Sequence, residues 1–261
     1  MTMGSTMGGT DDELAALVFA LESKRGGPGV RAQAARLLGE SGNPRAIEPL
    51  LGQIQDTADP YKMPVVTAVL ESLPRFGIAL VEPLLGVLDI PGDIRRKYAP
   101  RLLVSAISAD AAPILVRLLG DSEEDVVLNA ATALGDLRDA DYAEPLRAMV
   151  DDEARPVGVR GVAASALGMT GAAGAYQALV ALLGSDEHSL RAGAIDGLAE
   201  LGDPRALPLL QALLSSNRLD ERTARGAKLA LISLRNRRIA NLTDSSASIR
   251  ACSSDSGTAW R

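Results

Sequence analysis

LRAGAIDGLAELGDPRALPLLQALL, residues 190–214, is a complete copy of a unit that the rest of the chain repeats with variations. Its first half has apolar residues at the three- and four-residue spacing that places side chains on one face of a helix: Leu190, Ala194, Leu198 and Leu201. Its second half has another apolar face: Leu207, Leu210, Ala212, Leu213 and Leu214. The spacing predicts two amphipathic helices, neither of which can bury its apolar face alone.

Three residues typical of a tight turn separate these two predicted helices. Gly202 can adopt the left-handed conformation that ends a helix. Asp203 is placed to cap the next helix, and Pro204 follows at the first helical position, where a missing N–H breaks no hydrogen bond. Residues 190–214 are therefore predicted to form a helix, a turn and a second helix.

Prolines near the start of alternate helices mark further copies of the unit: Pro49, Pro83, Pro113, Pro145 and Pro208. The intervals are 34, 30, 32 and 63 residues, and 63 is about two repeat lengths. One copy therefore lacks its proline, at Tyr176 or Gln177. Repeats of this length predict stacked helix pairs that bury their apolar faces against their neighbours.

The composition agrees with stacked helices of small side chains. Aromatic residues make up only 3% of the chain, and Gly161, Gly193 and Gly226 lie inside predicted helices. These glycines indicate close contact between helices or, alternatively, an open groove floor that a partner's backbone can approach. From the periodicity we expect a flexible N-terminus over residues 1–9, a repeat domain over residues 10–238, and a disordered Ser/Thr-rich tail over residues 239–261.

The net charge of -6 argues against binding to nucleic acid phosphates. The charge is unevenly distributed: residues 111–216 carry 16 acidic and 7 basic side chains, whereas residues 217–261 carry 4 acidic and 9 basic ones. The single cysteine, Cys252, excludes an internal disulfide. Without a recognisable signal peptide or a long apolar stretch, we expect a cytoplasmic protein that does not enter a membrane.

An arginine recurs beside the apolar residue that starts four of the first helices: Arg31, Arg95, Arg160 and Arg191. We interpret these arginines as structural, reaching helix-cap carboxylates such as Asp203 in an adjacent unit. A row that binds anions is the alternative.

Three segments carry a family resemblance: VRAQAARLLGE at 30–40, SGNPRAIEPLL at 41–51 and LGDPRALPLL at 201–210. They resemble the HEAT-like repeats named after phycobilisome (PBS) lyases, over roughly residues 28–238. The resemblance implies an all-α fold, an α-solenoid of about six to seven short helix-turn-helix repeats wound as a right-handed superhelix. It also implies that the first helix of each repeat lines an inner groove.

Under this resemblance, ten residues on the first helices are expected to face a protein or peptide partner: Arg36, Glu71, Arg75, Arg96, Lys97, Asn129, Asp136, Met169, His188 and Asp196. The groove is expected to be basic at one end and acidic at the other, which would orient a partner of opposite polarity. The oligomeric state is left open.

Residues that could perform chemistry are few. His188 is the only histidine, so a two-histidine metal site cannot form, and we expect it to be a solvated residue at a helix start. The acidic clusters at 122–125 and 151–153 precede helices, where carboxylates satisfy free N–H groups. No glycine motif for nucleotides occurs. We therefore expect no metal, no cofactor and no catalytic residues.

One basic cluster surrounds an aromatic residue: Arg95, Arg96, Lys97 and Arg101 lie around Tyr98. It is consistent with a solvated helix face, with recognition of carboxylates such as the propionates of a tetrapyrrole, or with nucleic acid binding.

The leading functional hypothesis is a non-enzymatic scaffold or adaptor that binds a protein partner in its groove. The alternative is a bilin lyase or chromophore chaperone acting on a phycobiliprotein, and a DNA-repair protein ranks third. The low aromatic content is unfavourable for stacking on a large conjugated ligand or on bases.

Overall fold

The computed structural model describes residues 11–54, 63–216 and 219–254. Every regular element in those ranges is a helix, and the described residues contain no β-strand. This confirms the predicted all-α class. The α-helices are α1 (Asp11–Glu22), α2 (Gly27–Ser41), α3 (Ile47–Leu51), α4 (Met63–Ser72), α5 (Val81–Leu88), α6 (Ala99–Ile107), α7 (Ala112–Leu118), α8 (Glu124–Asp136), α9 (Ala143–Asp151), α10 (Val157–Met169), α11 (Ala175–Leu182), α12 (His188–Leu201), α13 (Ala206–Ser215) and α14 (Glu221–Ser254). The flexible N-terminus predicted over residues 1–9 lies outside the described residues.

Consecutive helices form pairs, as an α-solenoid requires. Within the described ranges, α2 to α13 make six pairs, α1 precedes them, and α14 follows as the first helix of a further repeat. This arrangement confirms the predicted solenoid of six to seven repeats. The predicted prolines lie at the second or third residue of α3, α5, α7, α9 and α13, and α11 has Tyr176 and Gln177 there instead.

The chain divides into two compact units, residues 1–133 and 134–261, with the boundary inside α8. Each unit has its own core of leucine and alanine. In unit 1 the fully buried leucines include Leu38 and Leu84, and in unit 2 they include Leu146 and Leu167. Small alanines fill the space between these leucines, as the low aromatic content predicts.

The repeat at residues 190–214 largely follows its prediction. Leu190, Ala194 and Leu198 are buried on one face of α12. Gly202 ends that helix with φ 76°, the left-handed conformation that glycine adopts without strain. The Asp203 carboxylate accepts a hydrogen bond of 2.8 Å from the N–H of Arg205, so it caps the turn that leads into α13.

The predicted apolar face of α13 needs a correction at its C-terminal end. Leu207 and Leu210 are buried, but Ala212 is exposed and Leu213 and Leu214 are half-buried. The reason is the position of α13 in the repeat series. α13 is the second helix of the last described helix pair. The second helix of a further pair, which would cover its outer side, does not follow within the described residues.

Glycines bring the backbones of α10 and α12 into direct contact. A methyl group placed on Gly193 would lie 1.9 Å from the carbonyl oxygen of Gly161, and one on Gly168 would lie 2.0 Å from that of Gly197. Close helix contact is therefore the role of Gly161 and Gly193. Gly226 differs, because a methyl group there would meet only the Asp196 carboxylate, at 4.0 Å.

The prediction that no segment is long and apolar enough for a membrane span was wrong by length and composition. Two segments meet those criteria, Met63–Leu88 and Ile94–Leu118. Each is interrupted in its middle by a left-handed residue, Gly77 (φ 53°) or Ser108 (φ 50°), where the chain turns. The core helices of a soluble protein pass the same test, and several leucines of these two segments, such as Leu80, Leu84, Leu103 and Leu115, are fully buried in unit 1.

The last helix is longer than predicted. The sequence predicts a disordered tail after Arg238, whereas α14 continues to Ser254. Residues 239–254 contain neither glycine nor proline, and extending an existing helix by one residue is far easier than starting one. For residues 255–261 the tail prediction lies outside the described part of the chain.

Candidate functional site

Four exposed charged residues of unit 1 lie opposite each other on α2 and on α4 with the short 3-10 helix that follows it (Leu73–Leu80). The guanidinium of Arg36 on α2 lies 4.0 Å from the carboxylate of Glu71 on α4. Next to this pair the signs are reversed, with Glu40 on α2 lying 3.8 Å from Arg75, which lies three residues after the end of α4. We call these four residues the charge ladder. Its predicted members are Arg36, Glu71 and Arg75, and the structure brings them together.

Close packing of the two helices aligns this ladder. A methyl group on Gly39 of α2 would lie 2.6 Å from the Cβ of Ser72 on α4, so only glycine permits this approach. Ser72 is buried and donates its hydroxyl hydrogen to the carbonyl of Ala68. The surrounding core therefore holds the four charged side chains on neighbouring helix turns.

Arg96 is not in the groove to which the sequence assigned it. Only 6% of the residue is exposed. Its Nε donates to the carbonyl of Leu88 at 3.0 Å, and its terminal nitrogens bind Asp121 at 2.7 Å and Glu123. Arg96 is therefore a structural residue that links the end of α5 to the loop before α8.

The recurring arginines share a hydrogen bond that the sequence did not predict. The Nε of Arg31 donates to the carbonyl of Leu21 at 2.8 Å, and that of Arg160 donates to Val150 at 2.8 Å. A guanidinium nitrogen of Arg191 similarly donates to Ser185 at 2.6 Å. Together with Arg96, these cations bind carbonyls at or just after the C-termini of the preceding helices, where the helix dipole favours positive charge.

This contact corrects two details of the arginine interpretation. The arginines do make structural contacts, but Arg31, Arg160 and Arg191 bind backbone carbonyls rather than cap carboxylates of an adjacent unit. Arg96 binds both a carbonyl and the carboxylates of Asp121 and Glu123. Asp203 pairs with Arg205 of its own turn, at 2.5 Å. In the third repeat the recurring contact is made by Arg96, whereas Arg95 binds Asp93, two residues before it.

Little of the predicted basic cluster is available to a ligand. Arg95 makes a two-pronged contact with Asp93, whose hydrogen bond with Arg95 lowers the pKa of that carboxyl. Arg96 is buried. The Nζ of Lys97 lies 5.2 Å from the ring centre of the neighbouring Tyr98, and Lys97 is half-buried. Of the four basic side chains, Arg101 is the exposed one.

The two candidates on α8 differ in their surroundings. The amide nitrogen of Asn129 donates to the carbonyl of Asp125, one turn back, at 2.7 Å. Asp136 is exposed in the last turn of the helix. Asn129 is thus partly occupied by a local bond, whereas Asp136 is open to solvent.

The remaining candidates belong to unit 2. Met169 is half-buried beside Gly135, at the end of α10. The His188 side chain is 68% exposed, as expected for a helix start, and its Nδ1 lies 2.8 Å from Asp220. It also lies 3.1 Å from Arg191.

Asp196 and Glu200 form an acidic pair of successive turns on α12. Burial raises the pKa of Asp196, and the neighbouring Glu200 raises it further. Glu200 has a lowered pKa, because Arg138 donates a 2.9 Å hydrogen bond to it and Arg237 lies 3.5 Å away. The residues predicted from the sequence did not include Glu40 or Arg138. Glu40 lies one turn after Arg36, a spacing that could have identified it, whereas nothing local predicts the contact of Arg138.

These positions do not form the expected charge gradient. In unit 1, Arg36 and Arg75 each face a glutamate and Arg96 is buried. In unit 2, Glu200 faces two arginines. Each unit therefore presents mixed charges. Within the described ranges, no three His, Cys, Asp or Glu side chains are grouped as metal ligands.

The comparisons with known proteins concern the repeats. The sequence profile of HEAT repeats matches residues 81–158 and 153–231, and that of the PBS lyase HEAT-like repeat matches residues 30–56. No protein of curated function matches the chain in sequence.

Several solved structures have a similar fold. Kap121p is 15% identical with a TM-score of 0.59, and the alignment covers 86% of this chain and 31% of Kap121p. Kap121p bound to Nup53p is 17% identical with a TM-score of 0.60, covering 86% and 29%. The chain thus spans less than a third of the length of Kap121p. The complex of CpcE and CpcF of phycocyanin lyase from Nostoc sp. PCC7120 is 21% identical over 85% of this chain and 94% of that one, with a TM-score of only 0.43.

Proposed function

Since the chain belongs to the HEAT repeat family, we propose that it is a scaffold that binds a protein or peptide partner along the first helices of its repeats. The charge ladder of unit 1 is the observation on which the proposal rests. Kap121p, whose fold is similar, is known in complexes with Nup53p and with Pho4p. That fold is therefore compatible with protein partners.

The ladder contributes little to folding, so its regular arrangement calls for another explanation. The side chains of Arg36 and Glu71 are 47% and 61% exposed, and those of Arg75 and Glu40 are 54% and 56% exposed. Exposed pairs at such distances stabilise a protein by about 0 to 1 kcal/mol. A partner with the complementary order of charges could bind them at a small cost in stability, and like charges would be rejected.

The packing within unit 2 also favours a binding surface on the side formed by the first helices of the repeats. There, α10 and α12 lie along each other, whereas α11 makes its main contacts with these first helices rather than with α9 or α13. The side on which stacked helices are closely spaced is the natural place for a groove. Asp196 and Glu200 are the acidic residues on that side.

The proposal can be tested by exchanging the two residues of one ladder pair, so that the ion pair is kept while the positions of its charges are swapped. In the variant Arg36→Glu with Glu71→Arg, the pair is retained but its order is reversed for a partner. Photo-crosslinking from position 33, where Gln33 is exposed on α2 one turn before Arg36, identifies in the native host the partner of the chain with an intact ladder. We expect the reversed pair to lose this crosslink by at least about tenfold, with an unchanged melting temperature.

A matched exchange on a second helix is the control. Arg147 and Asp151 of α9 form an exposed pair at 3.6 Å, with side chains 54% and 67% exposed. The variant Arg147→Asp with Asp151→Arg should keep the crosslink. If reversing the ladder left partner capture unchanged, the proposal would be wrong.

The alternative of a bilin lyase or chromophore chaperone is supported by the match of the PBS lyase HEAT-like repeat to residues 30–56, but not by the basic residues around Tyr98. The basic cluster that motivated it is largely engaged in contacts within unit 1, through Asp93, Asp121 and Glu123. The same contacts remove the main support for DNA binding. A coloured adduct on co-expression with a bilin and an apo-phycobiliprotein would reverse this ranking.

A further inference from the structure

The outward face of α14 is apolar at its centre and basic around it. The opposite face of this helix packs on α12 and α13 through Thr223, Ala227, Ala230, Leu231 and Leu234. On the outward face, Leu229 is 62% exposed and Ile232 is 54% exposed. No other described helix of unit 2 covers these two side chains.

Basic residues lie one helix turn from the exposed apolar pair. Arg225, Lys228 and Arg235 are exposed at three- and four-residue spacings from Leu229 or Ile232. Residues 221–237 contain five basic residues and a single acidic one. We call the surface formed by Arg225, Lys228, Leu229, Ile232 and Arg235 the basic end face.

The outward face of α1 also combines an exposed apolar side chain with charged residues, but here the charges are negative. Leu21 is fully buried toward the helices that follow, whereas Phe19 is 74% exposed. Asp12 and Glu22 are exposed at helical spacings from Phe19, on the same side. The helix carries four carboxylates and no basic residue. We call the surface formed by Asp12, Phe19 and Glu22 the acidic end face.

Terminal repeats of a solenoid normally have a polar outer face, because no further repeat covers them. Here the first and last described helices, α1 and α14, instead expose large apolar side chains, and Phe19 is one of only two phenylalanines in the chain. We propose that the acidic end face of one copy of this chain binds the basic end face of a second copy. Phe19 then packs against Leu229 and Ile232, and Asp12 and Glu22 lie among the arginines and lysine.

Such a contact joins two different surfaces, so it can repeat from copy to copy, either as an open chain or as a closed ring. A single helix packed on another buries less than the roughly 800 Å² per partner of a standard stable interface. The association is therefore weak and reversible, and added salt weakens it further. It does not depend on the charge ladder, so either proposal can fail without the other.

The test uses two full-length variants, each with one face blocked. Phe19→Lys places a positive charge on the acidic end face, where it repels a basic partner face. Leu229→Glu does the converse on α14. By sedimentation velocity at low salt, the wild-type chain should self-associate increasingly as its concentration rises. Each variant alone should lose at least about tenfold in association constant.

Mixing the two variants gives the decisive result. Each retains one intact face, so an equimolar mixture should form a 1:1 complex that does not grow further, because both outer ends are blocked. Ile78→Glu is the control, since Ile78 is 83% exposed in unit 1 but lies on neither face. It should associate like the wild-type chain, and circular dichroism should show the same helix content for all variants.

Three outcomes would overturn the proposal. The wild-type chain could remain a monomer at every concentration, or the mixed variants could fail to form a complex. Alternatively, the wild-type chain and Phe19→Lys could both bind phosphatidylserine vesicles equally well without any self-association. In that case the basic end face binds an anionic lipid surface rather than a second copy of the chain.

Discussion

Gly193 shows how one missing side chain can determine the distance between two helices. Because its methyl group would lie 1.9 Å from the Gly161 carbonyl oxygen, α10 and α12 would have to separate. We expect Gly193→Ala to lower the free energy of unfolding by about 1–3 kcal/mol. Chemical denaturation followed by circular dichroism measures the change.

Gly158 provides a control of opposite sign. It lies in the first turn of α10, and a methyl group there meets nothing within 4 Å. Alanine favours a helix over glycine by up to about 1 kcal/mol, so Gly158→Ala should leave stability unchanged or raise it. Equal effects of the two substitutions would contradict the close backbone contact.

Arg96 carries a second prediction at the scale of a single residue. Its ion pair with Asp121 is almost completely buried, with the two side chains only 7% and 10% exposed. Removing one partner of a buried pair leaves an uncompensated charge, and we expect Arg96→Ala to destabilise the chain by about 3 kcal/mol. Urea unfolding measures the loss. Arg101→Ala, at an exposed position, should have little effect, and adding Asp121→Asn to the Arg96 variant should recover part of the loss.

At the scale of an element, α12 carries two carboxyls whose pKa values are shifted in opposite directions. The pKa of Glu200 lies below its ordinary value of 4.5, so its ionised form stabilises the fold above that pH. This stability is lost as the pH falls through the lowered pKa. The pKa of Asp196 lies above its ordinary value of 3.8, so its ionisation destabilises the fold at neutral pH.

The two amide variants should therefore have opposite effects. At pH 7, Glu200→Gln should lower stability and Asp196→Asn should raise it, each by no more than about 1 kcal/mol because both groups contact water. As the pH falls, the Asp196→Asn difference should disappear first, between the raised pKa of Asp196 and its ordinary value of 3.8. The Glu200→Gln difference should shrink later, as the pH falls from 4.5 through the lowered pKa of Glu200. Melting temperatures measured from pH 3 to 7 test this, and effects of the same sign at pH 7 would exclude the assigned shifts.

At the scale of the whole molecule, stability should vary along the chain, because each repeat touches only its neighbours. α10 packs between α9 and α12, whereas α1 has neighbours on one side only. We expect backbone amides of α1 to exchange hydrogen faster than those of α10. Hydrogen exchange with mass spectrometry at low protein concentration measures this. Uniform protection from α1 to α14 would indicate a single cooperative core instead.

The sequence by itself determined the features that depend on neighbouring residues. The helix pairs, the left-handed Gly202, the Asp203 cap and the prolines in alternate helices follow from local geometry and hydrogen bonding. The exposure of Arg36, Glu71 and Arg75 follows from helical periodicity. All of these could be predicted, since the residues responsible lie within one or two helix turns of each other.

Only the tertiary structure decided what each side chain meets across a helix boundary. It placed Arg96 rather than Arg95 against the preceding helix, paired Arg138 with Glu200, and left Leu213 and Leu214 partly uncovered. The physical reason is that burial and ion pairing depend on how closely neighbouring helices pack. That distance is set by the contacts of residues far apart in the chain, and helical periodicity contains no information about it.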